Sequence, residues 1–214
     1  MFRANLINTN SCASRDDQRN VPQLTLDLPD SAVSGFASLL QHGILCPVPG
    51  PVQIRPFLLA LPGFTADYIE GTVQTIFING SAADTLDRPL GCGGTLALSA
   101  AMPGLAGAIF RREGLHGSLR SRTASDECIG DDGSGHITLK LFNSIAADRV
   151  FDLLERGIRV SGQALAEFAG RRPDLFQPPT VLTLDGRPVD AAGLMAAAQQ
   201  AAMIDLQARV RAAA

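Results

Sequence analysis

The sequence has no tryptophan, one tyrosine (Tyr68) and one lysine (Lys140). Few aromatic platforms are therefore present on which bases or sugars could stack. The formal net charge of −3 supplies no field that would recruit nucleic acid, so none is expected as a partner. Four cysteines (Cys12, Cys46, Cys92, Cys128) are spread along the chain without a CxxC pair. That argues against a zinc knuckle, a thioredoxin-type pair or a disulfide framework. Neither GxxxxGK[ST] nor GxGxxG occurs, so no nucleotide signature is present, and GxSxG is missing too. Which cofactor the chain takes, if any, stays open. The first twenty residues lack an apolar signal core, which makes the cytoplasm the expected compartment.

What is there describes a globular chain, with 46% hydrophobic and 18% charged residues over 214 positions. Gly91 to Phe110 carries no charge and is long enough to span a bilayer. Its glycines, Pro103 and abundant alanine fit a strand, a turn and a buried helix better, so no membrane association is expected.

The densest structural information lies between Gly71 and Arg112. Thr72 to Ile78 is β-branched and aromatic, which predicts a strand. Asn79-Gly80 tolerates positive φ at both positions and predicts a tight hairpin, with Ser81 to Asp84 returning. Gly91-Cys92-Gly93-Gly94 predicts a second turn before a strand over Thr95 to Ala100. Pro103-Gly104 then opens a helix.

Elsewhere, Leu24 to Leu28 alternates as a strand, and Asp30 or Ser31 is placed to cap a helix that Gly43 ends. Val52 to Ile54 is expected to return on Ile44 to Cys46, with Pro56 starting a short helix. His136 to Phe142 reads as a strand, followed by a helix to Arg156. Ser161 caps a helix to Arg171, where Arg171 and Arg172 suit the negative end of its dipole. Thr180 to Leu184 and Asp185-Gly186 form a second strand and turn. Asp190 caps a long alanine-rich helix to Arg211 whose stripe (Leu194, Ala198, Ala201, Met203, Leu206, Val210) suits packing on the body or on a two-fold partner. These elements give an α+β protein: a flexible tail (1–22), an α+β unit (23–125) and a C-terminal α+β unit (126–214) with further strands and helices. Ile76 to Asp84 and Leu182 to Asp190 echo each other as strand, tight turn and aspartate. Two common hairpins, or two related half-domains, would both produce that echo.

From Pro51 to Gly107 the order is strand, helix, strand, turn, Gly-rich turn, strand and small-residue tail. The residues are Phe77-Ile78-Asn79-Gly80, Pro89-Leu90-Gly91-Cys92-Gly93-Gly94-Thr95-Leu96-Ala97-Leu98 and Met102-Pro103-Gly104-Leu105-Ala106-Gly107. This middle unit resembles the β-grasp, ubiquitin-like sulfur carriers of thiamine and molybdopterin synthesis. The resemblance covers about a quarter of the chain and implies a β-grasp-like fold. Those carriers end in Gly-Gly, whereas here Gly104-Leu105-Ala106-Gly107 is internal, so the resemblance speaks for fold rather than thiocarboxylate chemistry.

Three candidate sites follow. Gly104 and Gly107, with Arg111 and Arg112 close behind, suit an anionic ligand at a helix start, unless the small residues serve only tight packing. Cys92, between glycines in a turn, is a candidate reactive thiol or a plain turn cysteine. Asp131, Asp132 and His136, in a loop that also holds Asp126, Glu127 and Cys128, form the densest set of potential metal ligands or a solvated acidic loop. Three functions match: an interaction or adaptor protein with a protein partner or a homodimer, an anion-binding protein of cofactor or sulfur metabolism, and a metal-dependent enzyme using residues 126–136.

Overall fold

A computed structural model describes residues 21–102, 104–112, 114 and 135–211. In chain order the elements are β1 (Gln23–Pro29), α1 (Asp30–Val33), a 3-10 turn (Ser34–Ser38), α2 (Leu39–His42), β2 (Ile44–Val48), β3 (Val52–Gln53), α3 (Ile54–Leu59), α4 (Ala66–Thr72), β4 (Thr75–Ile78), β5 (Ser81–Ala83), β6 (Pro89–Leu90), β7 (Thr95–Ser99) and α5 (Gly104–Phe110). They continue with β8 (Gly135–Phe142), α6 (Asn143–Arg156), β9 (Ile158–Ser161), α7 (Gly162–Arg171), a 3-10 turn (Pro173–Phe176), β10 (Val181–Leu184), β11 (Arg187–Val189), α8 (Ala191–Gln200) and β12 (Met203–Arg211). The protein is α+β, with helices and mixed sheet in each of two compact units. The first unit is Cys46–Ile145; the second combines residues 21–45 with 146–211.

In the first unit the strand order is β5-β4-β7-β8, with Cys46–Val48 of β2 beyond β8. β4 is antiparallel to both β5 and β7, and β7 is parallel to β8. Alternation places Ile76, Leu96, Leu98, Leu139 and Leu141 on one buried face. Burying each such side chain stabilises the fold by about 1.5–3 kcal/mol. On the opposite face, the ring of Phe77 meets Phe110 of α5 at 5.4 Å. Thr75 and Ser99, register partners on that same face, are buried as well.

The second unit has the order β11-β10-β1-β12-β9, and Leu45 at the edge of β2 pairs with Arg159. β1 is antiparallel to β10 and parallel to β12. Leu24, Leu26, Leu28, Ile204 and Leu206 line its buried face. Phe36, Phe168 and Phe176 pack there with ring centroids 5.4–5.8 Å apart. On the other face, Arg159 donates from Nε and Nη2 to Asp205 at 2.6 and 2.8 Å, and Gln23 Nε2 adds a third bond to that carboxylate.

Several expectations are corrected. The final helix ends at Gln200, and Met203–Arg211 is a strand. Ile204, Leu206 and Ala208 alternate inward between β1 and β9, so the helical stripe through Leu206 and Val210 does not exist. Leu194 and Ala198 are covered within their own unit, so the apolar stripe of α8 is not open to a partner. Val52–Gln53 pairs with Pro89–Leu90 rather than with β2. Thr72 closes α4, and its strand starts at Thr75. The boundaries fall within β2 and α6 instead of near residue 125, because β1 finds its partners in residues 181–211 and β8 pairs with β7. The helix from Asp30 is interrupted by the 3-10 turn, and its N-cap is Pro29. Residues 1–20 of the expected tail lie outside the described residues.

Candidate functional site

The turn into α5 is fixed by glycine at two points. Gly104 adopts φ 77°, a left-handed conformation that other residues adopt at a cost. Gly107 packs so closely on the Met102 carbonyl that a Cβ would lie 1.8 Å from its oxygen. After the helix, Arg112 N–H donates to Gln74 O at 2.6 Å, which ties the end of α5 to the strand entry before β4.

Both arginines of the expected anion site are engaged. Arg112, whose side chain is 10% exposed, donates from Nη2 to Glu70 Oε2 at 2.7 Å. Arg111 Nε donates to Gln74 Oε1 at 2.9 Å, and Gln74 Nε2 donates in turn to Gly71 O. Arg55 approaches the same Glu70 carboxylate through Nη1 and Asp87 through Nε. Hydrogen bonds from Arg55, then from Arg112, hold the Glu70 carboxyl below the usual carboxylate range. Glu70 and Gln74 thus convert the two arginines into a clamp that holds α5 down. Neither Glu70, Gln74 nor Arg55 stood out in the sequence. The one signal for them is that α4 places Glu70 on its last turn, ahead of the Gln74 strand entry.

Cys92, a candidate reactive thiol or plain turn cysteine, is buried. The start of β8 covers it: a Cβ on Gly135 would lie 2.9 Å from Cys92 Cβ, and Gly93 N–H donates to His136 O at 2.7 Å. Asp131 and Asp132 lie outside the described residues, as do Asp126, Glu127 and Cys128. Of the proposed metal ligands only His136 is described, at the start of β8. Among the described residues, no group of three or more His, Cys, Asp or Glu side chains is placed to hold a metal ion. No helix among them is long and apolar enough to cross a membrane.

Two clefts open in the second unit. One, of about 560 Å³, lies between residues 29–35 and 172–180. The other, of about 490 Å³, lies between α7 and α8. Arg172, read from the sequence as a dipole partner of its helix, instead forks onto Asp174, with Nε to Oδ1 at 3.2 Å and Nη2 to Oδ2 at 3.0 Å. The guanidinium holds the Asp174 carboxyl below its usual range. Neither cleft involves a residue singled out from the sequence as a site.

No protein-family model, no curated protein and no solved structure matches this chain.

Proposed function

We propose that this chain is a non-catalytic interaction or adaptor protein of the cytoplasm, built on a β-grasp-like unit, and that α5 presents its contact. The order β3, α3, α4, β4, turn, β5, β6, Gly-rich turn, β7 supports the β-grasp part of this proposal, with α4 and β6 added to the expected order. The observation that carries the interaction part is Leu105. It is 71% exposed, more than any other large hydrophobic among the described residues. Yet its helix is held at both ends, by the close approach of Gly107 to Met102 and by the Phe110, Arg111 and Arg112 contacts. A side chain on a backbone already held in place adds no backbone ordering cost on docking, and its burial would return about 1.5–3 kcal/mol.

The other two functions draw less from the described residues. Anion binding at Gly104–Arg112 would require Arg112 to leave Glu70. The metal-dependent alternative rests on Asp131 and Asp132, which lie outside them.

Proximity cross-linking of the chain in its own cells, comparing the native sequence with Leu105→Glu, tests the proposal. A surface change of this kind shifts stability by no more than about 0.5 kcal/mol, so folding does not confuse the result. The expected outcome is a discrete partner, or a second copy, that the variant loses. Equal cross-linking by both proteins, or none by either, would remove α5 as the contact.

A further inference from the structure

The two units share one framework, residue by residue. Ile78, Phe77 and Ile76 of β4 face Leu96, Ala97 and Leu98 of β7. Leu184, Thr183 and Leu182 of β10 face Leu24, Thr25 and Leu26 of β1 in the same antiparallel register. β7 then runs parallel to β8, as β1 does to β12. Gly107 follows Thr95 by twelve residues, as Gly35 follows Gln23. Unit one therefore serves as an internal reference for unit two.

Within this shared ladder the units diverge at the start of β4 and β10. In the first, Gln74 N–H closes the ladder on Ser99 O, and Arg112 N–H seals Gln74 O. At the matching place in the second, Thr180 N–H turns away to Gln177 O. Asp27 O, the counterpart of Ser99 O, is taken by the Arg211 guanidinium, which also reaches Pro179 O. The ladder stays open, its edges are stitched by a side chain, and the cleft of about 560 Å³ results, a size within the usual range for small-molecule sites. Gly35 lets the opposite wall come close at one end: a Cβ there would strike Leu175 at 2.8 Å and crowd Arg172 Nη2 at 3.2 Å.

The geometry points to a binding site in this cleft for a small charge-balanced polar molecule of the amino-acid class, bearing one carboxylate and one ammonium group. Of the residues that line the cleft, one carries a guanidinium (Arg172) and one a carboxylate (Asp174), while the Arg211 guanidinium at its edge is taken up by Pro179 O and Asp27 O. Arg172 and Asp174 are held to each other in a solvent-exposed pair, with side chains 42% and 61% exposed. Such a pair is worth little in water and exchanges readily for matched partners on a ligand. The hydroxyls of Ser31, Ser34 and Thr180 line the same cleft and supply neutral hydrogen bonds to the remaining polar atoms. A net anion or cation would satisfy one charge and strand the other.

The site is tested on the full chain by amide NMR titration with glycine, with acetate and ethylammonium as half-ligands. Glycine is expected to give saturable shifts confined to residues 31–35 and 172–180 at up to about 10 mM, tenfold above a millimolar Kd. Each half-ligand is expected to bind at least about tenfold more weakly, and Arg172→Gln and Asp174→Asn each to weaken glycine about tenfold, one factor of ten per lost charge contact. Unchanged spectra of both variants elsewhere would establish that they are folded. Lack of saturation by glycine, shifts outside the cleft, or acetate binding as tightly as glycine would overturn the proposal.

Discussion

Asn79 and Thr95 exchange two hydrogen bonds: Asn79 N–H donates to Thr95 O at 2.9 Å, and Thr95 N–H donates to Asn79 Oδ1 at 2.8 Å. The same latch recurs in the second unit, where Asp185 N–H donates to Gln23 O at 2.9 Å and Gln23 N–H to Asp185 Oδ1 at 2.8 Å. Asn79 (φ 50°) and Asp185 (φ 48°) are each followed by a glycine at positive φ, so each latch fastens a tight hairpin to the first residue of the neighbouring strand. Only an acceptor oxygen is needed, so Asn79→Asp and Asp185→Asn are expected to shift stability by less than about 0.5 kcal/mol. Asn79→Ala and Asp185→Ala remove the bond and favour left-handed backbone less, a loss of about 1–3 kcal/mol. Urea unfolding of the four variants checks both halves of this expectation.

The strand assignment of Met203–Arg211 makes a second prediction. Leu206 is 1% exposed between β1 and β9, while Arg209 points outward. Leu206→Ala should cost about 2–5 kcal/mol. Arg209→Ala should stay within about 0.5 kcal/mol. A helix continuing to Arg211 would give neither the alternation nor the slow amide exchange expected at Ile204, Leu206 and Ala208.

Glu70 sets an acid limb on stability. Its folded pKa lies below the unfolded value, so its contribution is present above the unfolded value of about 4.3 and is lost as pH falls through the folded one. The side chain is half exposed, and solvent screening keeps the effect to about 1 kcal/mol or less. The melting temperature of the native protein should therefore fall more steeply than that of Glu70→Gln as pH drops below about 4.3. Parallel slopes for the two proteins would mean that the clamp on Arg55 and Arg112 contributes nothing.

Gly107→Ala should be the most damaging small change in the first unit, because its methyl has nowhere to go beside Met102 O. A loss of about 1–3 kcal/mol is expected from overpacking. Gly50→Ala and Gly71→Ala, where a Cβ meets nothing within 4 Å, serve as controls and should be neutral or slightly stabilising. Thermal unfolding of the three variants orders them.

Local chemistry made much of the fold legible. Asn79-Gly80 and Asp185-Gly186 announce their turns because few other residues accept that backbone. Ser161 and Asp190 cap α7 and α8 as expected, accepting from Ala164 N–H and Gly193 N–H. Gly43 and Gly157 stop their helices at positive φ. What sequence hides is partnership at a distance. Alanines 196 to 198 and 201 to 202 run the helical composition of α8 up to β12, so Ile204 and Leu206 look like a continued stripe until β1 is known to lie beside them. The candidate site shows the same limit. Arg111 and Arg112 were visible as charges, but Glu70, which claims Arg112, lies forty-two residues earlier. The cleft between residues 29–35 and 172–180 has no local signature at all.

The route of the chain through the second unit has a consequence for its biosynthesis. β1 is made well before β12, yet it lies between β10 and β12 and pairs along its whole length with residues 205–211. At about 5–20 residues per second, roughly 10–35 s separate emergence of Leu28 from emergence of that partner. Until β10 and then β12 appear, the apolar face of Leu24, Leu26 and Leu28 has no partner strand, while the first unit already has every strand it needs once Phe142 has appeared. The nascent chain is therefore exposed to misassembly at β1, and a chaperone that sits on residues 23–29 would stand in for β12 until it is made.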